Sequence, residues 1–324
     1  NRETIPEEIY NLKNLEELII VGSKRGVKID KLPEGINKLK KLKGVRLAHN
    51  NLTEFPKELC DLVNLEYLEF SSDEIDKLPK DISKLRNLKE LKLDSSRLKS
   101  LPDEIGNLEN LEILNINCNK IRILPRNIAK LKKLKELNSY FNNLKELPEE
   151  LCDLVNIEKL NLSTNKINKL PEDIAKLKKL KELDLSDNKL KSLPERICDL
   201  ENLEVLNIFS NEIKNLSEKI SNLNKLKDLD ASRNKLKKLP KNINKLKNFT
   251  SISALNKKRT ASEIASILGV SKDQVDQLFI LYNATNPSTK ITLPDLANFI
   301  NNYVLKNDTY KAYISNDQKT LLNQ

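Results

Sequence analysis

The chain has 324 residues, of which 32% are charged and only 4% are aromatic, and its net charge is +10. This length is enough for two domains of ordinary size, and the scarcity of aromatic rings indicates a core of aliphatic side chains. No apolar run reaches the roughly 18 residues that a transmembrane helix needs. The positive charge favours anionic partners only where it is clustered on one surface.

A repeat of 23 residues begins near the N-terminus and organises most of the chain. Leu-Pro pairs recur every 23 residues from Leu32 to Leu239, with Phe55-Pro56 and Leu216-Ser217 at the two steps that lack one. We number each repeat from this leucine as position 1. The sequence predicts about ten to eleven such repeats within residues 1–256.

The spacing of apolar residues within the repeat predicts its secondary structure. The repeat from Leu170 reads LPEDIAKLKKLKELDLSDNKLKS, with apolar residues at positions 1, 5, 8, 11, 14, 16 and 21. Positions 14 and 16 alternate as in a strand, and positions 5, 8 and 11 recur as on one face of a helical or 3₁₀ segment. One repeat cannot bury its apolar face alone, so neighbouring repeats stack and share a core.

The first repeat, which starts at Ile5-Pro6, is irregular. Its length of 27 residues predicts a four-residue insertion around Gly22 to Gly26. Stacking of all the repeats places their strands side by side, ~4.8 Å apart, in one parallel sheet.

Position 19 forms a column of asparagines along the repeats. A buried asparagine can satisfy backbone groups of neighbouring turns, which an apolar side chain cannot do. Asp73 and Ser96 interrupt the column, so we expect an altered ladder there. The column consists of Asn50, Asn119, Asn142, Asn165, Asn188, Asn211 and Asn234.

Position 7 alternates between lysine and acidic or neutral residues. Duplication of a two-repeat block explains this rhythm, and alternating signs also avoid a ladder of like charges, although exposed pairs contribute little. The column reads Lys38, Asp61, Lys84, Asn107, Lys130, Asp153, Lys176 and Asp199.

The four cysteines do not form a disulfide or metal pattern. Cys60, Cys152 and Cys198 share position 6, which holds small residues in most other repeats. Even Cys152 and Cys198 are two repeats, or ~10 Å, apart, beyond the ~7 Å between Cα atoms that a disulfide allows. Cys118 stands in another column, and the chain has a single histidine, His49. The sequence therefore predicts four free thiols, no metal site and no cofactor.

The side chains at positions 13, 15, 17 and 18 are predicted to point out of the sheet, and we call them the sheet face. In the repeats from Leu32 to Lys238 they include four basic and nine acidic residues. The lysines instead cluster on the flank and the opposite side, as at Lys40, Lys41 and Lys43. A nucleic-acid-binding face should be basic, so we predict a protein partner with a basic surface and no nucleic acid.

The lysine-rich exterior has two interpretations. It is a set of solvated faces of helical segments, or it makes loose contact with anionic surfaces.

The candidate partner-binding residues all lie on the sheet face. The acidic candidates are Glu69, Glu90, Asp94, Glu136, Glu182, Asp184, Asp187, Asp228 and Asp230. The apolar and aromatic candidates are Tyr67, Ile113, Tyr140, Phe141, Val205 and Phe209. A row at position 15, able to bond to polar ligand groups, consists of Asn115, Asn138, Asn161 and Asn207.

One repeat departs from the packing rule. Ser139 replaces the core leucine at position 16, directly before Tyr140 and Phe141. Such departures are more often functional than average, and aromatic residues are typical anchors of interfaces. The alternative is drift in one repeat, with ring edges covering the gap that Ser139 leaves.

After about residue 256 the repeat stops, and residues 257–324 are predicted to form a small all-helical domain. Thr260 with Glu263 and Ser271 with Gln274 have the spacing of capping boxes. The stretch 260–279 has the small-residue spacing of a DNA-binding helix-turn-helix, but this segment is slightly acidic, whereas a DNA-binding module should be basic. These helices could shield the last core layer as a cap.

These repeats resemble the leucine-rich-repeat family, and specifically its 23-residue LPxxIxxLxxLxxLxLxxNxL subclass, which includes Scribble-type scaffolds, Ras-suppressor-like proteins and plant intracellular Ras-group repeats. The resemblance covers residues 5 to 256. It implies an α/β solenoid, a horseshoe whose parallel sheet is concave, and a scaffold for protein-protein recognition. Because such folds host many partners, it does not identify one.

The pieces VDQLFILYNA and ITLPDLANFINNYVLKNDTY resemble a helical stretch in the outer domains of resistance-nodulation-division (MMPL-like) transporters. This resemblance implies an alternative function, the extracytoplasmic accessory or sensing domain of a bacterial membrane transporter. Free thiols instead indicate a reducing compartment, so a cytoplasmic and an extracytoplasmic location both stay open. We expect a monomer. We expect no enzyme, because no nucleophile or acid-base pair is predicted to converge in a pocket.

Overall fold

The computed structural model describes residues 5–22, 28–32, 34–50, 52–72, 75–246, 248 and 251–253. The chain divides into two compact bodies, an N-terminal body, Asn1–Leu190, and a C-terminal body, Lys191–Gln324. Most of the predicted insertion in the first repeat, Asp73, and the whole predicted helical segment 257–324 lie outside the described residues.

Each described repeat contributes one short strand, and neighbouring strands pair in parallel in the order of the sequence. In the N-terminal body these strands are β1 Glu17–Ile19, β2 Gly44–Asn50, β3 Tyr67–Ser72, β4 Glu90–Lys92, β5 Ile113–Asn115, β6 Glu136–Asn138, β7 Lys159–Asn161 and β8 Glu182–Asp184. In the C-terminal body they are β9 Val205–Asn207, β10 Asp228–Asp230 and β11 Ser251–Ser253. The predicted repeat of strand and connecting segment is confirmed.

The register between strands is the same from repeat to repeat. Ile113 pairs with Glu136, and Asn115 pairs with Asn138, so position 13 lies beside position 13 and position 15 beside position 15. The leucine between them is fully buried in both strands, at Leu114 and Leu137. Because side chains alternate across a strand, positions 14 and 16 form the core and positions 13 and 15 form part of the sheet face.

The segments opposite the sheet are 3₁₀ helices, and the described residues contain no α-helix, which corrects the α component of the predicted fold class. The leucine N–H at position 8 donates to the carbonyl at position 5, as from Leu108 to Ile105 at 3.2 Å. Apolar residues three apart fit the three residues per turn of this helix. The segment after Pro102 is only five residues long, so few α-helical bonds could form.

The bounds of the 3₁₀ segments recur with the repeat. In the N-terminal body they are Glu7–Asn11, Ile36–Lys38, Lys57–Asp61, Lys80–Lys84, Asp103–Asn107, Arg126–Lys130, Glu149–Asp153 and Glu172–Lys176; in the C-terminal body they are Glu195–Asp199, Glu218–Asn222 and Lys241–Lys245.

The asparagine column at position 19 forms the predicted ladder. Asn165 is buried, and its Nδ2 donates to the backbone oxygen of Ser139 in the preceding repeat at 2.9 Å. The same amide group donates to Leu162 and Ser163 of its own repeat, and its Oδ1 accepts from the N–H of Leu144 at 3.0 Å. One side chain thus joins the turns of two repeats.

Position 18 adopts a left-handed backbone conformation in nearly every described repeat, which the sequence did not reveal. The residues are His49, Ser95, Cys118, Phe141, Thr164 and Asp187 in the N-terminal body, and Ser210 and Arg233 in the C-terminal body, with φ between 51° and 58°. None of them is glycine, the residue that adopts this conformation most readily. The turn before each ladder asparagine therefore imposes strain that is greatest at branched or bulky residues.

Replacing Asn165 by alanine should lower the free energy of unfolding by about 2–4 kcal/mol, because several buried backbone groups lose their partner at once. Urea denaturation measures the change. Asn156→Ala is the matched control, since the exposed amide of Asn156 makes a single bond, to the oxygen of Lys132. Equal losses in the two variants would contradict the importance of the buried ladder.

Replacing Thr164 by glycine should raise the free energy of unfolding by about 0.5–1 kcal/mol. A left-handed residue with a Cβ costs ~1–2 kcal/mol, and the added chain entropy of glycine offsets part of the gain. Ser163→Gly is the control. Ser163 is buried outside the left-handed column and donates its hydroxyl to Asn161, so this variant should be less stable. A loss of stability in Thr164→Gly would contradict the strain at position 18.

Candidate partner-binding surface

The sheet face is unevenly exposed along the N-terminal body. Of the predicted site residues on it, those classed as exposed are Tyr140, Phe141, Glu182 and Asp187, and the others are half-buried. The half-buried candidates of this body are Tyr67, Glu69, Glu90, Asp94, Ile113, Asn115, Glu136, Asn138 and Asp184. The exposed members of the predicted site therefore lie in the repeats of β6 and β8.

Several charged side chains around β2, β3 and β4 form ion pairs with one another. Arg46 donates to Glu69 at 2.7 Å, and the hydroxyl of Tyr67 donates to the same carboxylate. Lys92 pairs with Glu90 at 2.6 Å and lies 5.5 Å from the ring centre of Tyr67. Most of the charge on this part of the sheet face is therefore paired within it.

The carboxyl groups of this network differ in their protonation behaviour. Burial alone would raise the pKa of Glu69, but the hydrogen bonds from Tyr67 and Arg46 outweigh it and lower the pKa. Burial raises the pKa of Asp94, although its own backbone N–H acts in the opposite direction. Hydrogen bonding therefore favours the charged form of Glu69, whereas burial disfavours the charged form of Asp94.

The acidic residues near β6, β7 and β8 are less compensated. Lys159 pairs with Glu182 at 2.9 Å. Among the described residues, no lysine or arginine forms an ion pair with Glu136, Asp184 or Asp187. We call Tyr140, Phe141, Glu182, Asp184 and Asp187 the aromatic–acidic patch.

The two rings of the patch project outward. Tyr140 and Phe141 are 39% and 54% exposed, and their ring centres lie 5.9 Å apart. Ser139 is fully buried, and the side-chain amide of Asn142 lies within hydrogen-bonding distance of its hydroxyl at 3.5 Å. The exposure of the rings therefore argues against the alternative in which they cover the gap beside Ser139.

The asparagine row at position 15 has an internal role that the sequence analysis missed. The side-chain oxygen of Asn138 accepts the N–H of Tyr140, and that of Asn161 accepts both the N–H and the hydroxyl of Ser163. The side-chain oxygen of Asn115 accepts the backbone N–H two residues later in the same way. Because the oxygen is used by the turn, the NH₂ group is the end that these side chains offer to a ligand.

In the C-terminal body, the predicted site residues are Val205, Asn207, Phe209, Asp228 and Asp230, and all are half-buried.

Two of these have partners of their own. Arg233 lies 5.1 Å from the ring centre of Phe209, and Asp230 accepts from the N–H and hydroxyl of Ser232. This part of the sheet face presents no pair of exposed rings.

The sequence analysis also missed two apolar residues of the first repeat, Ile19 and Val21, which are 54% and 51% exposed. Ile19 is paired with Arg46 across the sheet, so it occupies position 15. The irregular length of that repeat obscured its alignment with the other repeats. The apolar residues around Leu18 nevertheless indicated a strand there.

The lysines at position 12 of the flank connect neighbouring repeats. At position 12, lysine and glutamate alternate, and each lysine pairs with the glutamate of the preceding repeat at 2.5–2.9 Å. The pairs are Lys43–Glu16, Lys89–Glu66, Lys135–Glu112, Lys181–Glu158 and Lys227–Glu204. The same alternation could have been read from the sequence at position 12.

Position 7 behaves similarly. Lys84 pairs with Asp61 at 3.1 Å and Lys176 with Asp153 at 3.5 Å, each across one repeat boundary. The alternation of signs thus forms ion pairs between repeats as well as avoiding like-charge contacts.

All four thiols are free, as predicted. Burial raises the pKa of Cys60 and of Cys152 to about 12, and that of Cys198 to about 11. Cys118 is half-buried and its pKa is raised by burial and by Asp94. The thiolate is the reactive form, so none of these cysteines has the environment of a nucleophile.

Neither a metal cluster nor a membrane-spanning helix is found in the part of the chain that the structure describes. No three His, Cys, Asp or Glu side chains there are grouped as metal ligands would be. No helix there is long and apolar enough to cross a bilayer.

Stacked parallel repeats with a buried asparagine ladder define a solenoid protein. The family model "Leucine-rich repeat region" matches residues 54–164 and 172–273, and the family model "Leucine rich repeat" matches residues 140–190. The chain belongs to the leucine-rich-repeat family. No curated protein sequence matches it.

Several solved structures share the fold. A leucine-rich-repeat protein of Leptospira interrogans is 32% identical, with a TM-score of 0.68, over 83% of this chain and 74% of its own. The plant peptide hormone receptor RGFR1, solved in complex with RGF2, is 27% identical over 79% of this chain and 42% of its own, with a TM-score of 0.69. A TDR receptor is 29% identical over 82% and 48%, with a TM-score of 0.70.

At pH 8, a thiol-alkylating reagent should modify Cys118 first in the folded protein and leave Cys60, Cys152 and Cys198 nearly untouched. Their raised pKa values and their burial both keep the thiolate fraction and its access low. Mass spectrometry of the digested protein identifies each site, and the urea-unfolded chain, in which all four should react, is the control. Modification of Cys152 as fast as Cys118 would contradict this order.

Proposed function

We propose that this chain is a protein-recognition module that binds a partner with a basic surface through its sheet face, without catalysing a reaction. The observation that carries the proposal is the exposure of Tyr140 and Phe141 on the same face as Asp184 and Asp187, which form no ion pair among the described residues. Interfaces are enriched in such aromatic anchors, and an uncompensated acidic rim favours a basic partner.

The backbone at Phe141 supports this choice of site. Its φ is 53°, so the residue combines a left-handed conformation with a bulky side chain that is 54% exposed. A ring in this place neither fills the core nor relieves the strain of the turn. A costly residue without a packing role is best explained by a function that needs it.

The solved relatives support the class of function. One of them is a peptide hormone receptor in complex with its ligand. The present chain spans less than half of that receptor, so the partner of the receptor does not identify the partner here.

We further propose that residues 257–324 shield the last core layer as a cap. Solenoids need such an end because a terminal repeat would otherwise expose its apolar face.

The double variant Tyr140→Ala, Phe141→Ala should bind the partner at least ~10-fold more weakly, because truncation of central aromatic anchors is the costliest change in an interface. The partner is first captured by a pull-down with the intact chain, which is repeated at high salt, and its affinity is then measured with both proteins purified. Val155→Ala is the control, since Val155 is 46% exposed but lies at position 9, away from the sheet face.

Urea denaturation verifies that both variants are folded. Unchanged affinity of the double variant would overturn the proposed function.

A further inference from the structure

We propose that the aromatic–acidic patch binds an extended polyproline II segment of a protein partner. An apolar residue of that segment would contact Tyr140 and Phe141, and an arginine or lysine three residues away would reach Asp187. This inference rests on the proposed function and specifies the chemistry of the ligand.

The spacing of the patch sets the spacing of the ligand. Phe141, Thr164 and Asp187 occupy position 18 in three successive repeats, and their neighbouring strands pair in register. With ~4.8 Å between strands, Phe141 and Asp187 lie ~10 Å apart. The residue between them, Thr164, is small and half-buried, which leaves room for a ligand to pass over it.

A polyproline II helix matches this distance. It has three residues per turn and rises ~3.1 Å per residue, so residues three apart face the same side ~9.3 Å apart. In a β-strand, residues on one face are ~6.7 or ~13 Å apart, and neither value fits. Strand β7 is also paired on both sides, with β6 and β8, so the patch offers no free sheet edge for an added strand.

The asparagine row can supply hydrogen-bond donors for the backbone carbonyl groups of a polyproline II ligand. Its backbone has no internal hydrogen bonds, so its carbonyl groups need donors when they leave water. The side-chain oxygens of Asn138 and Asn161 accept from their own turns, so their NH₂ groups face the ligand as donors. An α-helical ligand could span the same distance with residues seven apart, but its backbone carbonyls are already bonded within the helix.

The charges of the patch select a basic residue. Asp187 is exposed and Asp184 is half-buried beside it, and neither forms an ion pair among the described residues. Near β2 to β4, Glu69 and Glu90 are paired with Arg46 and Lys92, and the remaining carboxylate, Asp94, is half-buried rather than exposed. The cationic residue of the ligand is therefore expected over the repeats of β7 and β8.

Three fluorescein-labelled peptides test the spacing with the full chain. Each has a phenylalanine and an arginine within a proline-rich sequence, separated by one, two or three prolines, and binding is followed by fluorescence anisotropy at low salt. The two-proline peptide should bind at least ~10-fold more tightly than the other two, because only it places both side chains on one face at the required distance.

Asp187→Asn should abolish the preference of the protein for the two-proline peptide over its Arg→Gln counterpart. Glu109→Gln, which removes one charge from the flank at position 9, is the matched control and should leave the preference intact. Equal affinity for the three spacings, or no binding of any of them, would overturn the inference. If Tyr140→Ala, Phe141→Ala still lost the captured protein partner, the proposed function would stand without it.

Discussion

The buried amide of the position 19 asparagine is the interaction on which the rest of the molecule depends. Each one joins the turn of its own repeat to the backbone of the preceding repeat, as Asn165 does with Ser139 and Leu144. The shared contact fixes how far and in which direction one repeat is displaced from the next. A residue type repeated in the sequence therefore becomes a column on the surface, and a change in a single repeat changes one place in that column.

The charges of the flank are explained by the same stacking. Lysines at position 12 pair with glutamates one repeat earlier. These paired charges cancel, so the net charge of +10 comes from other residues of the chain. The overall charge is consequently a poor guide to the partner of a solenoid. For the proposed binding through the sheet face, the charge that matters is the charge left without an ion pair, and this is acidic near β6 to β8.

The repeat made strands, core leucines and the asparagine ladder predictable, because each of these depends only on neighbours at fixed spacing. Pairing of charges was less accessible. Glu69 and Asp187 look alike in the sequence, yet one is held by Arg46 and Tyr67 and the other has no ion pair among the described residues. The left-handed backbone at position 18 was also hidden, since no glycine marks it.

Position 17 shows why the exception at Tyr140 matters. In four other repeats of the N-terminal body this position holds small, buried side chains: Ala48, Ser71, Ser163 and Ser186. A tyrosine cannot occupy that space, so its ring is displaced to the surface, where it meets the ring of Phe141. The repeat fold does not need these rings, since the other repeats form the same strand and turn without them. The unfavourable exposure of these rings to water is confined to the sheet face, where contact with a partner would remove it.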